Sequence, residues 1–149
     1  MNSPLEGLRV IMPCDYTLQI AERDVGGVTI LDLDGALTAV EGTARLRDRI
    51  HNLILRQRVF VVLNLSGIRY MDSEGLGQLV ACYSSLARTA GGLKLLHVGT
   101  RTLRLLSITR LLTVFTTFDS EEDAVKSFAA LQEALPGSVM ALERDVSGQ

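Results

Sequence analysis

Cysteine is scarce. Cys14 and Cys82 are the two cysteines in 149 residues, and they lie far apart with no C-x-x-C pair and no histidine spaced beside them. That pattern excludes a disulfide framework and a cysteine-based metal site, and it makes a reducing cytosol the simpler setting. There is no run of lysine or arginine either. A formal charge of -2 and a pI near 5.7 leave no basic face to neutralise phosphates, so direct nucleic-acid binding is not expected. The scattered arginines, most of them on expected helices, read as solvated faces.

No apolar run approaches the length that spans a bilayer, and no membrane association is expected. The N-terminus lacks a basic region followed by an apolar core and a small-residue cleavage site, so the expected location is cytoplasmic. Neither a G-x-x-x-x-G-K-[ST] phosphate loop nor a G-x-G-x-x-G fingerprint occurs, which argues against nucleotide cleavage. Repeats and low-complexity segments are absent too.

What is present is a chain of 47% apolar and 21% charged residues with a mean hydropathy of +0.25. Such a composition suits one well-buried domain. Residues 1–14, with Pro4, Gly7 and Pro13, read as a loose lead-in, 15–135 as the domain, and 136–149 as a weakly patterned tail expected to be disordered. Within that tail Val139, Leu142 and Val146 could form one amphipathic turn.

From Tyr16 onward strand and helix signals alternate. Tyr16 to Glu22 and Val28 to Leu33, joined at Gly26-Gly27, read as a hairpin. Thr38 to Glu41 has capping-box spacing, and Leu46, Ile50, Leu53 and Ile54 follow at helical intervals. Val59 to Leu65 is a near-continuous apolar run, as a strand covered on both faces should be. Leu76, Leu79, Val80, Tyr83, Leu86 and Ala87 make the cleanest helical stripe, which Gly91-Gly92 is expected to end. A strand at Leu93–Val98, a helix opened by Gly99-Thr100 and carrying Leu103, Leu106 and Ile108, and a strand at Val114–Phe118 come next. A last helix follows Ser120, with an acidic first turn and buried Ala124, Phe128, Leu131 and Leu135, ended by Pro136-Gly137. The order β-β-α-β-α-β-α-β-α predicts a mixed, mostly parallel sheet with helices against it.

The most informative stretch runs from Val61 to Gly77. Its apolar strand passes through Val62-Leu63-Asn64-Leu65 and Tyr70 into Met71-Asp72-Ser73-Glu74-Gly75-Leu76-Gly77. This M-D-S-x-G-L-G core resembles the STAS domain of bacterial anti-sigma factor antagonists. Gly35-Ala36-Leu37-Thr38, Gly91-Gly92-Leu93-Lys94-Leu95, Thr100 to Leu112 and Phe115 to Phe128 are similar to further family segments in the same order. The resemblance extends from about Tyr16 to Leu131.

The resemblance implies a STAS-type fold and a binding module rather than an enzyme. Its implied partner is an anti-sigma factor with serine kinase activity, to which any ATP and Mg²⁺ would belong; no cofactor is implied for this chain. Ser73 aligns with the family's phosphorylated serine, whose modification blocks binding until a serine phosphatase restores it. Partner contact is then expected at Thr38, Met71, Asp72, Glu74, Gly75, Leu76 and Gly77. Two positions depart from the family: Glu74 stands where Ser or Thr often follows the acceptor, and Thr38 stands where the family has Asp.

The same residues have simpler readings. Ser73 and Thr100 could each be helix caps, Asp72 an N-cap or turn residue, and His51 and His97 structural. A non-phosphorylated scaffold, or a subunit of a stress-signalling or lipid-transport complex, is the main alternative. A serine hydrolase is the weakest, because Met71 occupies the first glycine position of a G-x-S-x-G elbow.

Overall fold

The longest apolar strand of the sheet's N-terminal half owes its place between two neighbours to an almost unbroken apolar sequence. Val28–Leu37 (β2) is buried at nearly every position, with alternate side chains serving opposite faces. The computed structural model describes residues 17–129, so the lead-in with Cys14, the expected helical residues Leu131 and Leu135, the Pro136-Gly137 stop and the tail lie outside the described residues.

On one side of β2 runs Gln19–Val25 (β1), antiparallel, its turn made by Gly26 and Gly27 at φ 58° and 82°. Positive φ at both central positions is what a twist-matched two-residue hairpin turn requires. On the other side lie Phe60–Met71 (β3), Gly92–Leu96 (β4) and Thr117–Phe118 (β5), all parallel, in the spatial order β1-β2-β3-β4-β5. The helices are Thr43–Leu55 (α1), Ser73–Arg88 (α2), Thr100–Ile108 (α3) and Glu121–Lys126 (α4), with a 3-10 turn at Leu111–Thr113 between α3 and β5. The expected element order is therefore the observed one, with that turn added.

Among the described residues the sheet's two faces are covered unequally. Leu31, Leu33, Val61, Leu63, Leu93 and Leu95 point to one face and join Leu46, Ile50 and Leu53 of α1, Leu76, Leu79, Cys82 and Leu86 of α2 and Leu106 of α3 in one core. Val28, Ile30, Val62 and Leu96 point to the other, where Ala124 and Phe128 at the C-terminal end cover them. Beside that smaller core Arg23 grips both Asp32 (2.6 Å) and Glu121 (2.9 Å), and Asn64 donates to Asp32 at 2.7 Å. The guanidinium beside it, then the Asn64 amide, hold the Asp32 carboxyl below its ordinary range.

Several local expectations are corrected. Thr38 does not cap α1: its hydroxyl accepts from the Glu41 N–H at 3.1 Å inside a turn, and the helix begins only at Thr43 behind a left-handed Gly42. The Glu41 carboxylate accepts instead from the Leu18 N–H at 3.2 Å. Strand β3 runs six residues past Leu65, through Ser66-Gly67, because it stays paired to Asp34–Leu37 across two register shifts. Helix α2 ends on a left-handed Ala90 (φ 64°); neither Gly91 nor Gly92 is left-handed, though the Gly91 N–H closes the end by donating to the Leu86 carbonyl. Ala87 is exposed, as are Leu103 and Ile108 of α3. Strand β5 is cut to two residues, while Phe115 serves the core from the preceding turn.

Candidate functional site

The end of β3 and the start of α2 are joined by one residue, Asp72, whose extended backbone turns the chain into the helix. One Asp72 carboxylate oxygen (Oδ1) accepts from the Gly75 N–H at 2.9 Å, satisfying a free donor of the helix's first turn. The other (Oδ2) accepts from the Ala39 N–H at 3.0 Å. A single carboxylate thus clamps the α2 start to the loop that follows β2. The Ala39 N–H foremost, and then those around the helix start, hold Asp72 below the usual aspartate range, so it is ionised at neutral pH. Asp72 is the cap; Ser73 is not.

Ser73 occupies the first helical position with its side chain exposed, and Glu74 beside it is exposed as well. Two residues on, the helix comes so close to β2 that a β-carbon on Gly75 would overlap the Leu37 carbonyl. The glycine is demanded by this approach of the chain's own strand. Gly75 and Leu76 are buried, which corrects their expected place on a contact surface: they hold the helix down from within. Gly77 faces open space, Met71 and Thr38 are half-buried, and Asp72 is accessible at its edge.

Two apolar residues next to the serine had not been singled out as contact residues. Val40, in the loop clamped by Asp72, is 94% exposed, and Tyr70 is 41% exposed. The signal for Val40 was in the sequence, but capping-box spacing made it a helical residue rather than the tip of a turn. Tyr70 and Met71 also border a groove of about 570 Å³ that continues past the end of β3 to Gly99–Thr102 at the start of α3. There the N-cap is Gly99, with no side-chain cap bond, so Thr100 is the first helical residue rather than a cap.

His51 and His97 are exposed, the latter at a left-handed position (φ 56°), rather than built into the core, and neither is hydrogen-bonded to Ser73. Cys82 is buried, and burial pushes its thiol up to about 11. Among the described residues no cluster of His, Cys, Asp or Glu could hold a metal, and no helix is long and apolar enough to cross a membrane.

Fold and junction together define a small α/β domain that displays a hydroxyl at the carboxyl end of a central parallel strand, where such folds carry their ligands and contacts. The family model described as "STAS domain" matches residues 19–124, and the chain belongs to that family. A curated relative, the anti-sigma F factor antagonist of Paenibacillus polymyxa, is 28% identical over 72% of this chain and 92% of its own length. Among solved structures, an anti-sigma factor antagonist from Mycobacterium paratuberculosis is similar with a TM-score of 0.66 at 24% identity, covering 74% of this chain and 92% of that one. The Bacillus cell fate determinant SpoIIAA in its phosphorylated form has a TM-score of 0.58 at 20% identity, covering 74% of this chain and 97% of that one.

Proposed function

We propose that this chain is an anti-sigma factor antagonist that binds an anti-sigma factor with serine kinase activity and is switched off by phosphorylation of Ser73. The observation that carries the reading is the exposed Ser73 hydroxyl beside the ionised Asp72 cap, with Val40, Met71 and Tyr70 offering apolar contact around it. The name of the Paenibacillus relative supports the same reading. A partner surface seated here meets Thr38, Val40, Met71, Ser73, Glu74 and Gly77. Gly75 and Leu76 act on it only through the helix they hold.

Phosphorylation would add about -1.5 to -2 charges at pH 7. The helix start favours that charge through its free N–H groups, but Asp72 already takes the Gly75 N–H, and both Asp72 and Glu74 repel a second anion. The phosphate is therefore pushed outward, into the partner's path rather than into the fold. One misplaced charge in an interface need cost only about 1.4 kcal/mol to lower affinity tenfold. On this reading the chain performs no chemistry of its own: the kinase acts on it, and a serine phosphatase resets it.

The test is incubation of the full chain with its anti-sigma kinase, ATP and Mg²⁺, followed by tandem mass spectrometry. A single phosphate on Ser73, absent from Ser73→Ala, is expected. An unmodified Ser73 would turn the reading to a constitutive scaffold, and labelling of Ser73 by a serine-hydrolase reagent would overturn the binding-module reading.

A further inference from the structure

We propose that the groove between the end of β3 and α3 is a second docking surface, which takes an acidic amphipathic segment of a partner protein. The inference does not depend on whether Ser73 is modified.

The floor and walls of the groove are largely apolar. Leu65, Ile68, Tyr70 and Met71 line the strand side, and Leu105 lines the helix side. On α3, Arg101, Leu105 and Ile108 follow at i, i+4 and i+7, so they share a helix face. That places Ile108, 71% exposed, as a continuation of the groove's apolar line along the helix. Leu103 and Leu112 add exposed apolar surface on the same part of the chain.

On the helix side of this line the charge is of one sign. From Gly99 to Phe118 the sequence has no Asp or Glu, while Arg101, Arg104 and Arg110 fall within it. Elsewhere arginines find carboxylates: Arg45 meets Glu41, Arg49 and Arg56 meet Glu22, and Arg58 meets Asp24. Arg101, Arg104 and Arg110 form no ion pair among the described residues. The one carboxylate lining the groove, Asp72, stands at its strand end, bound to the Ala39 and Gly75 N–H groups but still ionised, so an acidic segment is drawn to the α3 side of the groove. An apolar line flanked by unpaired guanidiniums fits a segment with aliphatic anchors and flanking Glu or Asp, whose carboxylates those guanidiniums can bind bidentately. A membrane fits less well, because the apolar line is recessed between a strand end and a helix rather than raised on a convex face.

The probe is a fluorescein-labelled amphipathic peptide of Leu, Ala and Glu, titrated with the full chain by fluorescence anisotropy. Saturable binding that weakens with added salt is expected. Arg101→Glu/Arg104→Glu, at two exposed positions, should weaken it by about tenfold or more, while Arg101→Lys/Arg104→Lys should retain most of it. Ile108→Ser should weaken binding about threefold to tenfold through the lost anchor, and Ser73→Ala should leave it unchanged, which keeps this test separate from the phosphorylation reading. No binding of the Glu peptide overturns the proposal, as does equal binding of the same peptide with Lys in place of Glu. Binding to phosphatidylglycerol vesicles in place of the peptide would assign the surface to a membrane. A dimer in sedimentation that the double Glu variant dissociates would assign it to a second copy of the chain.

Discussion

The two junctions where β3 passes into α2 and β4 into α3 face each other across one groove, yet they are built in opposite ways. At the first, Asp72 caps its helix and reaches back to Ala39, and Gly75 lets the helix close onto Leu37. At the second, Gly99 caps without a side chain, a β-carbon there would meet open space, and Arg101 and Arg104 of the helix form no ion pair among the described residues. The fold supplies both junctions with exposed hydroxyls at the first helical position, Ser73 and Thr100. Side chains alone make them different: carboxylates flank the exposed serine at the first, and arginines follow the exposed threonine at the second.

The contrast can be broken by substitution, and urea unfolding of each variant reads the result. Gly75→Ala should have the largest effect, about 1–3 kcal/mol or more, because the backbone carbonyl it meets cannot swing aside as a side chain could. At the equivalent third helical position of α3, Thr102→Ala should stay within about 0.5 kcal/mol. If the two costs are equal, the first junction is not specially closed. Asp72→Ala should cost about 1–2 kcal/mol, as a cap that serves two segments.

Hydrogen exchange at Ala39 sharpens this prediction, since loss of Asp72 should speed exchange there as well as at Gly75. Exchange faster at Gly75 alone would mean that the clamp to the β2 loop carries no weight. The same clamp sets a pH dependence. Because the folded Asp72 pKa lies below its unfolded value, the stabilisation is complete above the ordinary aspartate range and is lost as pH falls through the depressed folded value. The gap in stability between the wild type and Asp72→Asn should therefore hold from neutral pH down to the ordinary aspartate range and shrink below it; a gap that stays constant through that range would contradict the ionised cap. The smallest effect is the reverse transplant. Gly99→Asp, at a backbone position (φ -72°, ψ 165°) open to any residue, should gain a few tenths of a kcal/mol by supplying the missing cap.

Much of this architecture was legible in the sequence because burial speaks through periodicity. The stripe from Leu76 to Ala87 marked α2, though Ala87 itself is exposed, the run from Val59 to Leu65 marked the first half of β3, and Gly26-Gly27 marked the hairpin. What was not legible depended on distant partners. Ser66-Gly67 reads locally as a turn, but pairing with β2 carries the strand through it to Met71. Thr38 and Glu41 have the spacing of a capping box, but Glu41 is drawn to Leu18, a residue 23 positions away. At the site, the motif located Ser73, yet it did not distinguish residues that hold the helix from within from those that face outward. Gly75 and Leu76 fell in the first group, and Val40 was missed in the second, because burial at a helix start is set by the neighbouring strand end rather than by local pattern.

The measurement that bears most directly on the switch is the affinity of the anti-sigma partner for the wild type, Ser73→Ala and Ser73→Asp, taken side by side by calorimetry. The account predicts that Ser73→Ala binds like the unmodified wild type and stays bound when ATP is added. It predicts that Ser73→Asp, which places a third carboxylate between Asp72 and Glu74, binds at least about tenfold more weakly. Equal affinity for all three, unchanged by ATP, would contradict it.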